Sequence, residues 1–145
     1  MLTYFGIWLD GSSIEQCYFV TQDRDECLKE GTNLMTSFIM SGPDDNQRVQ
    51  IRGVDIGKRQ FSKLLKCVDH PDFDLLDELY EEGECVMEYN YDDRDEFYYT
   101  SGGRLDDDEP DYDNPRYDEP DFEENVRYYV EQVVEMNLNS FEDNH

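Results

Sequence analysis

A proline recurs at every fifth position of DEPDY-DNPRY-DEPDF, the segment of residues 108–122. Pro110, Pro115 and Pro120 each lack a backbone amide donor and fix their own φ, so no regular helix or strand can run through them. The sequence therefore predicts an extended segment close to polyproline II. Any folded core must be built from the residues that precede and follow it.

Acidic residues are concentrated in the same half of the chain. The 145 residues carry a formal net charge of −25. Residues 1–70 contain eight basic and ten acidic side chains, whereas residues 71–145 contain four basic and 27 acidic ones. This charge repels nucleic acid and anionic lipid, so direct contact with nucleic acid or with a membrane surface is not expected. The expected partner is a basic protein surface.

Cysteine use and hydropathy indicate the compartment. The four cysteines show neither CxxC spacing nor a disulfide-dense pattern, which favours reduced, mostly buried thiols in the cytoplasm. The opening MLTYFGIWLD lacks a basic n-region and a long apolar core. No later apolar run reaches the length of a membrane span, so neither secretion nor membrane insertion is expected.

Hydrophobic periodicity predicts an α+β fold with a small antiparallel sheet and several helices. The pattern predicts a β-hairpin over residues 2–9 and 14–20, and a helix that begins at Asp23 and contains a weak point at Gly31. A third strand over residues 49–54 contains Gly53, which is predicted to mark a bulge. Two short helices follow, with inner faces formed by Phe61, Leu64, Leu65 and Val68 and by Leu75, Leu76, Leu79 and Tyr80. Strands are then predicted over residues 85–91 and 96–100.

The predicted organisation is a single domain with three parts. Residues 1–103 form the α+β core, residues 104–120 the extended acidic segment, and residues 121–138 a C-terminal amphipathic helix. In that helix the apolar residues alternate at spacings of four and three, which predicts a stripe that packs on the sheet or on a second copy. The stripe consists of Phe122, Val126, Tyr129, Val133 and Met136.

The sequence contains no recognisable catalytic constellation. His70 is the single non-terminal histidine, and its setting Asp69-His70-Pro71-Asp72 is more typical of a turn than of a catalytic base. The phosphate-binding patterns GxxxxGK[ST] and GxGxxG are absent, and no acidic window fits an EF-hand loop. We therefore predict a protein that is not an enzyme and that uses neither a cofactor nor a metal.

The repeat also matches a short adaptor-binding motif. Residues 114–117 spell NPRY, which fits the NPxY turn, and Tyr112 and Tyr117 lie in acidic settings that tyrosine kinases accept. Each tyrosine is one position of the five-residue repeat, so the repeat itself accounts for the match.

Regularly spaced aromatic residues distinguish this segment from a disordered acidic tail, which is usually poor in them. Tyr112, Tyr117 and Phe122 could pin the segment to the folded body and leave its carboxylates outside.

At about 3.1 Å per residue, the eleven acids of residues 104–124 give one charge per about 6 Å, sparser than the ~1.7 Å of duplex DNA. A duplex-like density needs further acidic faces. The sequence offers one at Glu78, Glu81, Glu82, Glu84, Asp92, Asp93, Asp95 and Glu96, and another at Glu123, Glu124, Glu131 and Glu135.

In size, charge, Tyr and Phe content and lack of a catalytic motif, the chain resembles the acidic DNA-mimic proteins of phages and mobile elements. Those proteins block restriction enzymes, CRISPR complexes and nucleoid or repair proteins. The resemblance lies in composition, especially over residues 72–135, and involves no shared motif. It implies a noncatalytic inhibitor that occupies the basic channel of a DNA- or RNA-binding protein or nuclease complex. The alternative is an acidic chaperone or scaffold that shields a basic host or virion protein.

The predicted partner-binding residues are the acids between residues 92 and 124 and the three aromatics of the repeat. They are Asp92, Asp93, Asp95, Glu96, Asp106, Asp107, Asp108, Glu109, Asp111, Asp113, Asp118, Glu119, Asp121, Glu123, Glu124, Tyr112, Tyr117 and Phe122. The first half of the chain also contains a basic stretch. It is either an ordinary solvated face or it pairs with the acidic half, within one copy or between copies. Pairing between copies would give a homodimer. That stretch contains Arg48, Arg52, Lys58, Arg59, Lys63 and Lys66.

Overall fold

The computed structural model describes residues 1–41, 45–92 and 121–143, without the side chains of residues 121–123 and 125. Within these ranges a four-stranded antiparallel sheet in the order β2-β1-β3-β4 is combined with four helices, which confirms the predicted α+β fold. The elements are β1 (Leu2–Asp10), β2 (Ser13–Thr21), α1 (Arg24–Ser41), β3 (Gln47–Asp55), α2 (Lys58–Lys66), α3 (Phe73–Glu82), β4 (Glu84–Asn90) and α4 (Asp121–Asp143). The strand predicted at residues 96–100 and the segment at residues 104–120 lie outside the described ranges.

The sheet separates two apolar cores. Successive side chains of a strand point to opposite faces. Tyr4 therefore belongs to the core beneath α1 and α4, whereas Phe5, Ile7 and Leu9 belong to the core beneath α2 and α3. One helix pair thus covers each face of the sheet.

The predicted hairpin is confirmed, and its turn consists of Gly11 and Ser12. Asp10 pairs with Ser13, and Gly11 has φ 63°, a left-handed conformation that glycine adopts without strain. The register shifts twice along this pair, which leaves Glu15 and Tyr18 as extra residues on β2. Such bulges increase the local twist of an edge strand and make it a poor template for pairing with another chain.

Two glycines serve close packing rather than the roles predicted for them. A Cβ at Gly31 would lie 2.6 Å from Cδ1 of Ile51, and α1 runs through this position without a break. A Cβ at Gly53 would lie 2.7 Å from the ring of Phe141, in a stretch where the pairing of β3 with β1 is regular. The predicted bulge lies at Val86 of β4 instead of at Gly53. Val86 has no partner in β3, because Met87 pairs with Ile51 and Cys85 pairs with Arg52.

An aspartate that precedes each helix caps the starts of α1 and α3. The Asp23 carboxylate accepts a hydrogen bond from the Asp25 amide at 3.0 Å, but Glu26 accepts one from the Thr21 hydroxyl instead of returning to Asp23. The Asp72 carboxylate caps α3 through the Leu75 amide, and Gly83 is the C-cap of this helix.

The predicted inner face of α2 needs one correction. Leu64 is fully buried, but Leu65 is 42% exposed because it follows Leu64 directly and so points about 100° away from it around the helix. No helix in the described ranges is both long and apolar enough to cross a membrane.

The buried stripe of α4 differs from the predicted one. Its members follow mainly at four-residue spacing and are Val126, Val130, Val134, Leu138 and Phe141. Tyr129 and Met136 of the predicted stripe are 44% and 70% exposed, and Val133 is half-buried. The helix also continues to Asp143, past its predicted end at residue 138, because its last turn buries Phe141 against the sheet.

Candidate partner-binding surface

Most of the predicted partner-binding residues lie outside the described ranges, so their role stays a prediction. Those outside are Asp93, Asp95, Glu96, Asp106, Asp107, Asp108, Glu109, Asp111, Tyr112, Asp113, Tyr117, Asp118 and Glu119. Asp121, Phe122 and Glu123 lie in the first turn of α4, where only the backbone is described. Asp92 and Glu124 are exposed.

The strand that precedes the acidic segment ends beside the hairpin turn. Asn90, the last residue of β4, pairs with Arg48. Gln47, just before Arg48, pairs with Asp10 at the end of β1. The chain therefore leaves the sheet at residue 90 at the same end of the domain as the hairpin.

The helix that follows the acidic segment begins at that end as well. Arg24 at the start of α1 forms an ion pair with Glu142 near the end of α4, at 3.4 Å. Arg127 near the start of α4 donates a hydrogen bond to Asn33 in the second half of α1. The two helices are therefore antiparallel, and α4 begins near the end of α1, the helix that precedes β3 in the chain. The described chain thus breaks off after residue 92 and resumes at residue 121 at the hairpin end of the domain.

The outer side of α3 is a dense acidic surface within the described ranges. Its five carboxylates are exposed, and none forms an ion pair with another described residue. They span about 12 Å of helix axis, or one charge per about 2 to 3 Å. This spacing falls between about 1.7 Å for duplex DNA and about 3.4 Å for one strand. The carboxylates belong to Asp74, Asp77, Glu78, Glu81 and Glu82.

Asp74 and Asp77 were missed by the sequence prediction, which counted only the end of this helix. A helical projection would have found them, since Asp74 and Glu78 are four residues apart and Asp77 and Glu81 likewise.

The acidic residues of α4 form a sparser surface on the opposite side of the molecule. Glu124, Glu131 and Glu135 are exposed, but Arg127 lies among them, and Glu142 is paired with Arg24. Because α3 and α4 cover opposite faces of the sheet, their acids do not form one continuous surface on the described residues. The sequence had suggested that these faces could combine.

The predicted basic stretch is divided between the sheet and α2. Arg48 forms an ion pair with Glu88 across β3 and β4 at 3.1 Å. The cations of α2 are exposed and form no ion pair with any described residue, and most of the acidic half lies outside the described ranges. They are Lys58, Arg59, Lys63 and Lys66. A basic helix and an acidic helix thus cover the same face of the sheet.

Arg52 attaches the acidic helix to the sheet. Its side chain is 7% exposed and donates hydrogen bonds to the carbonyls of Tyr80 at 2.7 Å and Gly83 at 3.2 Å. Its guanidinium carbon lies 3.8 Å from the centre of the Tyr80 ring, and a further bond reaches Gln50, which in turn donates to Glu88. The last turn of α3 contains no basic residue, so Arg52 supplies the positive charge that favours a helix C-terminus.

The buried thiols of Cys17 and Cys27 are chemically inert. Burial raises the pKa of Cys17 and of Cys27 to about 12, so both are protonated at neutral pH and are poor nucleophiles. No group of three or more His, Cys, Asp or Glu side chains within the described ranges is arranged to hold a metal ion.

Comparison with protein-family models, curated proteins and solved structures finds no match for this chain.

Proposed function

We propose that the protein is a noncatalytic inhibitor that mimics the charge of DNA. It occupies the basic nucleic-acid-binding channel of a defence or DNA-processing protein in the cytoplasm of a host or infected cell. The free thiols of all four cysteines support a reducing compartment.

The observation that carries this proposal is the outer face of α3. Exposed carboxylates that form no ion pair with a described residue remain available to a partner, and their spacing is close to that of phosphates. A channel that binds DNA presents Lys and Arg at positions suited to such a spacing. Because the charges are fixed on a helix that is anchored to the sheet by Arg52, little conformational entropy is lost when they bind.

The test is competition with DNA for a purified partner. The partner is identified by affinity capture and loaded with a fluorescein-labelled duplex, and displacement is followed by anisotropy. Replacing the α3 acids one at a time with Asn or Gln should weaken displacement by about two- to fivefold per charge, roughly cumulatively. The predicted contribution of the acidic segment, residues 104–120, is measured with a variant in which Asp106, Asp107 and Asp108 are all replaced by Asn.

The matched control is the acidic surface on the opposite face of the sheet. Asp25→Asn and Glu30→Gln remove the same charge from α1, on that face but outside α4, and should change displacement by less than the same number of α3 substitutions. Equal losses from both helices would mean that only net charge matters and that α3 is not the mimicking surface.

A further inference from the structure

Helix α4 carries a second stripe, which faces outward and contains large apolar side chains. Tyr128 and Met136 are 68% and 70% exposed, and Tyr129 is 44% exposed. Tyr128, Gln132 and Met136 follow at four-residue intervals and so lie along one side of the helix. The core of α4 is complete without them, since a separate stripe from Val126 to Phe141 fills the space against α1 and the sheet.

Acidic residues border this outward stripe. Glu131 and Glu135 precede Gln132 and Met136 by one residue each, and Glu124 lies one turn before Tyr128. All three carboxylates are exposed and form no ion pair with a described residue. The surface is therefore an apolar strip with an anionic margin.

Large apolar side chains at such exposure are typical of contact surfaces, where Tyr and Met are enriched. A second copy of the chain would bring like charges together and would add another −25 to the complex. The chain's own residues 104–120 also carry a net negative charge, so they complement the margin less well than a basic surface does. A basic partner complements it best.

We infer that the outward face of α4 docks a basic protein surface that contains an apolar recess. Tyr128 and Met136 enter the recess, and the glutamates of the margin meet Lys or Arg at its edge. The inference deepens the proposed function, on which it rests for the basic nature of the partner. It adds a contact whose strength comes from apolar burial and which therefore resists salt, unlike the α3 contact.

The probes are two fluorescent 14-residue peptides, an amphipathic Leu/Lys helix and an oligolysine, titrated with the full-length protein by anisotropy. In 0.5 M NaCl, where charges are screened beyond about 4 Å, the Leu/Lys peptide should bind at least about tenfold more tightly than oligolysine. The double variant Tyr128→Ser, Met136→Ser should lose this preference. Circular dichroism should show an unchanged melt, because neither side chain belongs to the core.

The matched control is Leu65→Ser, which removes an exposed apolar residue of α2 from basic surroundings and should leave the preference intact. An unchanged preference in the double variant would overturn the inference. If the wild-type protein forms a concentration-dependent dimer and the double variant does not, the surface belongs to a second copy. If the full-length variant Tyr112→Ser, Tyr117→Ser binds the peptide more tightly than the wild type, the surface belongs to the chain's own residues 104–120. If the double variant loses the peptide preference but the wild-type protein does not displace DNA from the partner, only the proposed function is overturned.

Discussion

Arg52 shows how a single side chain determines where the acidic helix lies. It lies on the inner strand β3, which helices cover on both faces, and it is buried like every residue from 49 to 54. Its hydrogen-bond partners could not be predicted in the same way. The carbonyls of Tyr80 and Gly83 come from residues 28 and 31 positions further along the chain, and only the packing of α3 brings them to the guanidinium.

Replacing Arg52 with Met should destabilise the fold by about 2 to 4 kcal/mol, because the two carbonyls would lose their donor in a buried site. Arg52→Lys should recover part of this loss, since it restores the charge without the planar fork. The measurement is urea unfolding, with hydrogen exchange of the α3 amides as a local readout.

Arg24→Met is the control for this substitution. It removes a half-exposed arginine that pairs with Glu142 on the other face of the sheet, so it should cost less than about 1 kcal/mol. If Arg52→Met cost no more than Arg24→Met, or left α3 protection unchanged, Arg52 would not be the anchor.

The buried thiols predict a loss of stability in alkali. In an unfolded chain a thiol has a pKa of about 8.5, whereas burial raises the pKa of Cys17 and Cys27 to about 12 in the folded protein. A raised folded-state pKa gives stability that is complete below about pH 8.5 and is lost as the pH rises towards 12. The free energy of unfolding should therefore fall between pH 8.5 and 11. A Cys17→Ala, Cys27→Ala variant should show a shallower fall, and an identical slope would exclude the thiols as its cause.

At the scale of elements, α4 illustrates what periodicity can and cannot decide. Both the predicted stripe and the buried stripe share Val126, and each is apolar, so the sequence alone allows either to face the core. The choice is made by contacts distant in sequence, such as the approach of Phe141 to Gly53 and of Val134 to Gly31. The hairpin was predictable because its turn chemistry and alternation are local.

The two stripes of α4 should respond differently to truncation. Val134→Ala should cost about 1 to 3 kcal/mol, because it opens a cavity between α4 and α1. Met136→Ala, at a position that is 70% exposed, should change stability by less than about 0.5 kcal/mol. Thermal or urea unfolding of the two variants measures the difference, and similar losses would mean that the outward stripe is part of the core.

At the scale of the whole molecule, net charge works against folding. Three ion pairs connect described residues, and one of them involves the N-terminal amine. The charge asymmetry and the α+β fold could be predicted from composition and periodicity. The separation of the acids of α3 and α4 onto opposite faces could not, because it depends on which side of the sheet each helix crosses.

Salt should therefore stabilise the protein. Raising NaCl from 0.02 to 0.5 M screens self-repulsion and should raise the thermal midpoint by on the order of 5 °C. The cations of α2 form no ion pair with a described residue, so among these residues salt has no α2 ion pair to weaken. A midpoint that falls with salt would indicate that these cations pair with the acidic half, and an accompanying loss of dimer mass would place the pairing between copies.

The most direct test of DNA mimicry is whether the target can hold DNA and this protein at the same time. Sedimentation of the purified target with a labelled duplex and saturating protein reports all three components in one experiment. Mimicry predicts two separate complexes, target with DNA and target with protein, whose proportions follow the two concentrations. A ternary complex in which the target still acts on its DNA would contradict it and would favour an acidic scaffold that shields the target without blocking its DNA site.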